Sequence, residues 1–127
     1  MTPWILAVLV LYFFQIYLSA ALYLPAEGLL KHAGGRDTTP ERGKYAGRAE
    51  KALINLRENL PFFLAPALLT YVVPGTDSEL AVLGAQLFVF ARCIYVPAYL
   101  SGIPGPRSVA YGLALLGNII MVYAIVG

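Results

Sequence analysis

Apolar residues fall into four long runs along this chain, divided by one long polar stretch and two short ones. The first, "PWILAVLVLYFFQIYLSAALYL", extends from about Pro3 to Leu24 and meets Pro25. The second runs from about Arg48 to Val73 and closes on "VPG", the third from about Ser78 to Leu100, and the fourth from about Pro106 to Val126. A helix of about 20 mostly apolar residues crosses a hydrocarbon core of about 30 Å. All four runs reach that length. The pattern therefore predicts an all-α integral membrane protein, a four-transmembrane-helix bundle forming one domain over residues 1–127. Pro61, Pro66 and Pro97 fall inside predicted helices. Membrane helices tolerate them where neighbours re-satisfy the freed carbonyls, and bends are expected there. No Lys or Arg precedes the first run, which is also long for a signal peptide, so it is read as a retained helix.

The polar positions orient these helices. All 9 Lys and Arg residues lie between Lys31 and Arg57 or at Arg92 and Arg107. The connection "PGTDSE" between spans two and three holds only Asp77 and Glu79. Positive charge marks cytoplasmic loops, so loops one and three are assigned to the cytoplasm and both termini to the opposite side. The long first connection, "PAEGLLKHAGGRDTTPERGKYAG", reads as a solvated loop with one short helical turn near "EGLLKH". His32 lies in it, as a solvated side chain rather than a ligand or base.

Composition agrees. The chain is 59% hydrophobic and 13% charged, where soluble domains carry about 25% charged residues. A net charge of +2, with basic residues interleaved with acids beside the membrane, excludes a nucleic-acid partner. One cysteine, Cys93, precludes an intrachain disulfide, and no Cys/His cluster supports a metal site. Cys93 is read as a small buried hydrophobe. No Ser/His/Asp triad, P-loop or GxGxxG turn is present.

The stretch "NLRENLPFF" places charge where an apolar run begins. At about 100° per residue, Arg48, Lys51, Asn55 and Glu58 share a stripe roughly 80° wide, and Arg57 points to the other side. Arg92, Tyr95 and Tyr99 share a face of span three, and Arg107 and Ser108 open span four on the same side of the membrane. Three helices thus direct polar side chains at one layer near the cytoplasmic interface. Ionisable groups inside spans are rare and default to functional hypotheses. Tyr and Arg at helix ends also serve as interfacial anchors, the reading favoured for Arg57, Tyr111 and Tyr123. Glu58 either pairs with Arg92 to hold the bundle or belongs to a site; the residues alone leave both open. Such a layer suits an amphiphilic ligand, with cations for carboxylates and the lipid side open to an apolar co-substrate.

Two segments carry a resemblance. "GRAEKALINLRENLPFFLA" is similar to the second-helix signature of the MAPEG family, the membrane-associated proteins of eicosanoid and glutathione metabolism, approximately R-A-x-x-N-x-x-E before a proline-led apolar run. "ARCIYVPAYLSGIPGPRS" resembles the family's third-helix segment, with its arginine, two tyrosines and following Arg-Ser. With the four-span layout, the likeness covers nearly the whole chain and is closest to the bacterial branch. It implies a bacterial inner-membrane protein that assembles as a homotrimer, with sites between neighbouring subunits near the cytoplasmic face.

The resemblance also implies glutathione as co-substrate. By position, Asn55 and Glu58 would bind its backbone and amino group. Lys51, in place of the motif arginine, would hold a carboxylate as a point charge, with Arg48 one turn earlier as a compensating cation. Asn59 stands where some members have tyrosine. Tyr95 and Tyr99 would line the tripeptide, with Arg92 near Glu58 or a carboxylate. Arg107 or Ser108 would face the thiol, raising its thiolate fraction for attack on a lipophilic small molecule. A first-helix arginine used by several relatives is missing, and Lys31 is the nearest substitute. The activity implied is that of a glutathione transferase or peroxidase. Two other classes remain: a non-catalytic lipid-binding scaffold of the same family, and a small proton-coupled exporter using Glu58. The absence of any acid in span one and the long first loop count against the exporter.

Overall fold

The computed structural model describes residues 1–27 and 44–127, with side chains described for 1–22 and 44–127. The readings made for His32, Lys31 and the "EGLLKH" turn lie outside the described residues.

Among the described residues four helices form in order: α1 (Thr2–Glu27), α2 (Lys44–Leu69), α3 (Ser78–Ser101) and α4 (Pro104–Val126). Three are long and apolar enough to cross a membrane, over Thr2–Leu22, Ser78–Ser101 and Pro104–Val126. The other, α2, carries Lys44, Arg48, Glu50, Lys51, Arg57 and Glu58 before its apolar half.

Two helices differ most from the expected extent. α1 does not stop at Pro25 but continues to Glu27; a proline in a last turn removes only one ladder hydrogen bond. α2 begins and ends four residues earlier than its hydropathy suggested. Hydropathy cannot separate the end of a helix from an apolar turn. Beyond Leu69 the amides of Tyr71 and Val72 bond three residues back, to Leu68 and Leu69. The Thr70 hydroxyl donates to the Ala67 carbonyl, so the chain tightens out of the α-helix before Pro74.

Local chemistry explains the two sharp corners. Asp77 caps α3, its carboxylate accepting from the Leu80 amide at 3.1 Å. α3 ends on Gly102, in the left-handed region at φ 76°, whose amide bonds Tyr99 O, and Pro104 opens α4 two residues later.

α3 and α4 share the most extensive contact, and α1 packs on α2 and less on α3. The α3–α4 seam closes on glycines: a Cβ on Gly84 would lie 2.6 Å from the Gly117 carbonyl oxygen. The core between α1, α2 and α3 contains Val8, Leu56, Phe63 and Phe88, with the Phe63 and Phe88 rings stacked at 4.5 Å. Large apolar side chains such as Val10, Phe13, Phe62, Phe90 and Val126 point outward. In a bundle whose solvent is hydrocarbon, that is the expected surface.

Candidate functional site

On α2 the buried face is centred on Ala52, Leu56 and Phe63. Asn55 and Asn59 sit at its edge by helical angle, whereas Lys51 and Glu58 fall about 40° and 60° beyond Asn55, away from that face. That offset divides the predicted polar stripe. Asn55 turns toward α3, where its Oδ1 accepts from Arg92 Nη1 at 2.7 Å. Asn59 Nδ2 donates back to the Asn55 backbone carbonyl at 2.7 Å, which draws the Asn59 side chain toward the preceding turn. Lys51, Arg57 and Glu58 are exposed.

Arg92 is 1% exposed, the largest of the fully buried side chains. Its guanidinium carbon lies 4.0 Å from the Tyr95 ring centroid. Its Nε and Nη2 have no hydrogen-bond partner among the described residues. Of the two readings left open for Glu58, the pairing with Arg92 does not form; Arg92 takes the neutral amide of Asn55 instead, because Glu58 lies on the exposed flank of α2.

Tyr95, 3% exposed, sits in a small cluster with Ala52 of α2 and Ala110 of α4, whose short side chains leave room for its ring. Tyr99 follows one turn on, its ring 5.5 Å from that of Tyr95. Arg107, half-buried at the start of α4, brings its guanidinium carbon 4.9 Å from the Tyr99 centroid. Arg92, Tyr95, Tyr99 and Arg107 thus form a continuous run of two adjacent rings with a cation at each end, joined to Asn55 through Arg92. Ser108 is exposed beside it.

Arg48 is placed differently. Its Nη1 donates to the Leu100 carbonyl at 2.9 Å. Its guanidinium fills the space a Cβ on Gly102 would need, 2.5 Å from Nη2. It closes the C-terminal end of α3, where a cation also complements the helix dipole.

The cluster borders an open groove between α2 and α4 of about 770 Å³. Asn59 and Tyr111 line its near end; Phe62, Leu115 and Val122 line its length. Tyr111 lies one turn beyond Arg107, so the groove begins where the polar cluster stops. Tyr111 and Tyr123 therefore line a groove, beyond the anchoring role expected of them.

Cys93 is exposed, contrary to its reading as a buried hydrophobe. Next to Ile94 and Phe90 on the outward face of α3, it lines a second groove with Leu11, Phe14 and Leu18 of α1.

Two residues escaped the sequence reading. Gln15 and Asn118 are buried polar groups whose Oε1 and Oδ1 atoms have no partner among the described residues. The available signal was an amide inside an otherwise apolar run, outside any recognised motif.

No curated protein matches the chain. The sequence profile of the MAPEG family matches residues 1–127. With four helices, the second opening on Arg48, Asn55 and Glu58 and the third bringing Arg92, Tyr95 and Tyr99 to Asn55 and Arg107, this integral, multi-pass membrane chain belongs to the MAPEG family.

Proposed function

We propose that this protein is a glutathione-dependent transferase or peroxidase that acts on lipophilic electrophiles, at sites formed between the subunits of a homotrimer. The observation that carries this reading is the junction at Asn59 and Tyr111, where an apolar groove open to lipid meets a cationic, tyrosine-lined cluster. One ligand is polar and anionic, the other apolar, and the junction offers a place for each.

The donor set fits the tripeptide. Glutathione carries two carboxylates and one ammonium at neutral pH. Arg107 and Lys51 supply accessible cations, and Glu58 a counter-ion for the ammonium. Arg92, buried with two nitrogens unpartnered among the described residues, adds positive potential from within and orients Asn55 and Tyr95. Lys51 and Glu58 face outward on α2, which is where a second subunit would complete the site. A single subunit divides the polar layer between its interior and its surface.

Chemically, Arg107 would stabilise the thiolate. A free thiol has a pKa of about 8.5, and a neighbouring guanidinium lowers it. Ser108, beside it, would donate a hydrogen bond to the sulfur. With a chlorodinitrobenzene-type electrophile, a C–S bond forms and the C–Cl bond breaks. Chloride leaves with the bonding pair, and the thiol proton passes to solvent. Loops one and three face the cytoplasm in this reading, in a bacterial inner membrane.

Calorimetric titration of the purified protein with glutathione, followed by turnover of chlorodinitrobenzene, tests it. Arg107→Ala is expected to lower kcat about 100-fold or more while leaving most of the binding, since removal of one preorganised electrostatic donor has effects of that order. Glu58→Gln is expected to weaken glutathione binding. Binding without turnover in the wild type would instead identify a lipid-binding scaffold, and the absence of both would overturn the glutathione reading.

A further inference from the structure

The groove between α2 and α4 contains one feature that a passive hydrocarbon channel does not need. Asn118 lies on α4, eleven residues beyond Arg107, or about 17 Å along the helix axis. With Tyr111, Leu115 and Val122 it follows the spacing of a single helix face, and all four line the groove. The preceding residue, Gly117, packs against α3. Asn118, about 100° further round, lies at the edge of the buried face of α4, where that face borders the groove.

Asn118 is 6% exposed, and its Oδ1 has no hydrogen-bond partner among the described residues. At this depth a bilayer supplies no water, and an unsatisfied amide is costly. A leucine would fill the same volume without that penalty. Among the described residues, nothing offsets the choice of asparagine. A ligand in the groove would.

We infer that Asn118 is a specificity-determining residue, and that the groove takes an elongated lipophile with an oxygen function about 17 Å from its reactive end. A hydroxyl, hydroperoxide or carbonyl at that position would bond the amide, while the flanking chain packs against Phe62, Leu115 and Val122. A hydroxyl suits the amide best, because it can both donate and accept. The inference rests on the proposal that the lipophilic substrate occupies this groove.

The probes are octadecanoic acid and its counterpart hydroxylated at the fourteenth carbon, with the carboxyl end standing in for the reactive end. Each displaces a fluorescent fatty acid from nanodisc-embedded protein, normalised to partition into empty nanodiscs. The wild type is expected to prefer the hydroxylated chain by about 10-fold, the scale of one well-formed hydrogen bond. Asn118→Leu should abolish the preference and bind the unsubstituted chain at least as well. Ala65→Trp, which fills the groove, should weaken both chains, and neither variant should alter the glutathione titration.

Equal affinities in the wild type, or a preference that survives Asn118→Leu, would overturn the inference. So would an Asn118→Leu variant whose subunit number changes while the preference stays, since the amide would then serve an interface. Binding unaffected by Ala65→Trp would also overturn it, by placing the chains elsewhere. A retained preference for the hydroxylated chain, lost in Asn118→Leu, in a protein that fails to bind glutathione would support the role of Asn118 while refuting the proposed reaction.

Discussion

Arg92 brings a guanidinium into the bundle with a single hydrogen bond, from Nη1 to Asn55 Oδ1, among the described residues. Burying a charge costs several kcal/mol, and partial satisfaction does not recover it. Asn55→Leu is therefore expected to destabilise the protein by about 1.5–3 kcal/mol, the range for a hydrogen bond to a charged group. Arg92→Met removes the charge itself and is expected to be neutral or stabilising in the thermal midpoint, at the expense of glutathione binding. The double variant should resemble Arg92→Met, because no buried charge remains to be orphaned. Melting in one detergent, with glutathione titration alongside, checks all three; an unchanged midpoint in Asn55→Leu would refute the coupling. Sequence spacing placed Arg92, Tyr95 and Tyr99 on one face. It could not choose between Asn55 and Glu58 as the partner of Arg92. That choice depends on the roll of α2 against α3, which three-residue spacing within one helix does not specify.

Among the elements, the α3–α4 pair is set by the approach of Gly84 to Gly117. A methyl group on Gly84 meets the Gly117 carbonyl at 2.6 Å, and one on Gly117 meets the Phe88 amide nitrogen at 2.8 Å. Both obstacles are backbone, so the helices must separate. Gly84→Ala is expected to cost about 1–3 kcal/mol, as overpacking does. Its effect should extend to the site, because Tyr95 is held between α2 and α4 by the same pair of helices. A Cβ on Gly112 meets nothing within 4 Å; Gly112→Ala should gain up to about 1 kcal/mol from helix propensity. Equal midpoints for the two variants would mean that the seam is looser than this packing implies. The four helices themselves were legible, because apolar length and the flanking turn residues are local signals. The ends of α2 were not, since charged residues hid its first turn and apolar ones extended past its last.

For the whole molecule, charge asymmetry sets the topology prediction. Asp77 and Glu79 flank the α2–α3 turn, while Arg48 and Arg107 lie at the opposite end of the bundle. In a Cys93→Ala background, Ser78→Cys is expected to react with a membrane-impermeant maleimide from outside intact inner-membrane spheroplasts. Gly105→Cys should react only after permeabilisation. The reverse pattern would invert the bundle and move the candidate site to the outer face. Both positions are exposed at helix starts, so their reactivity reports sidedness rather than burial.

Four long apolar runs, the proline and glycine punctuation between them, and the motif around Asn55 and Glu58 are written in the order of residues. They were enough to determine an all-α membrane bundle and its family. Each rests on composition or spacing within one segment, where backbone geometry makes the consequence nearly unavoidable. What the tertiary structure alone decided is which side of each helix meets which neighbour. It sealed Arg92 against Asn55 and left Glu58 outside, committed Arg48 to the end of α3, exposed Cys93 and placed Asn118 in the groove. Those outcomes depend on helix rotation and close approach, which arise only when side chains from different helices compete for the same space.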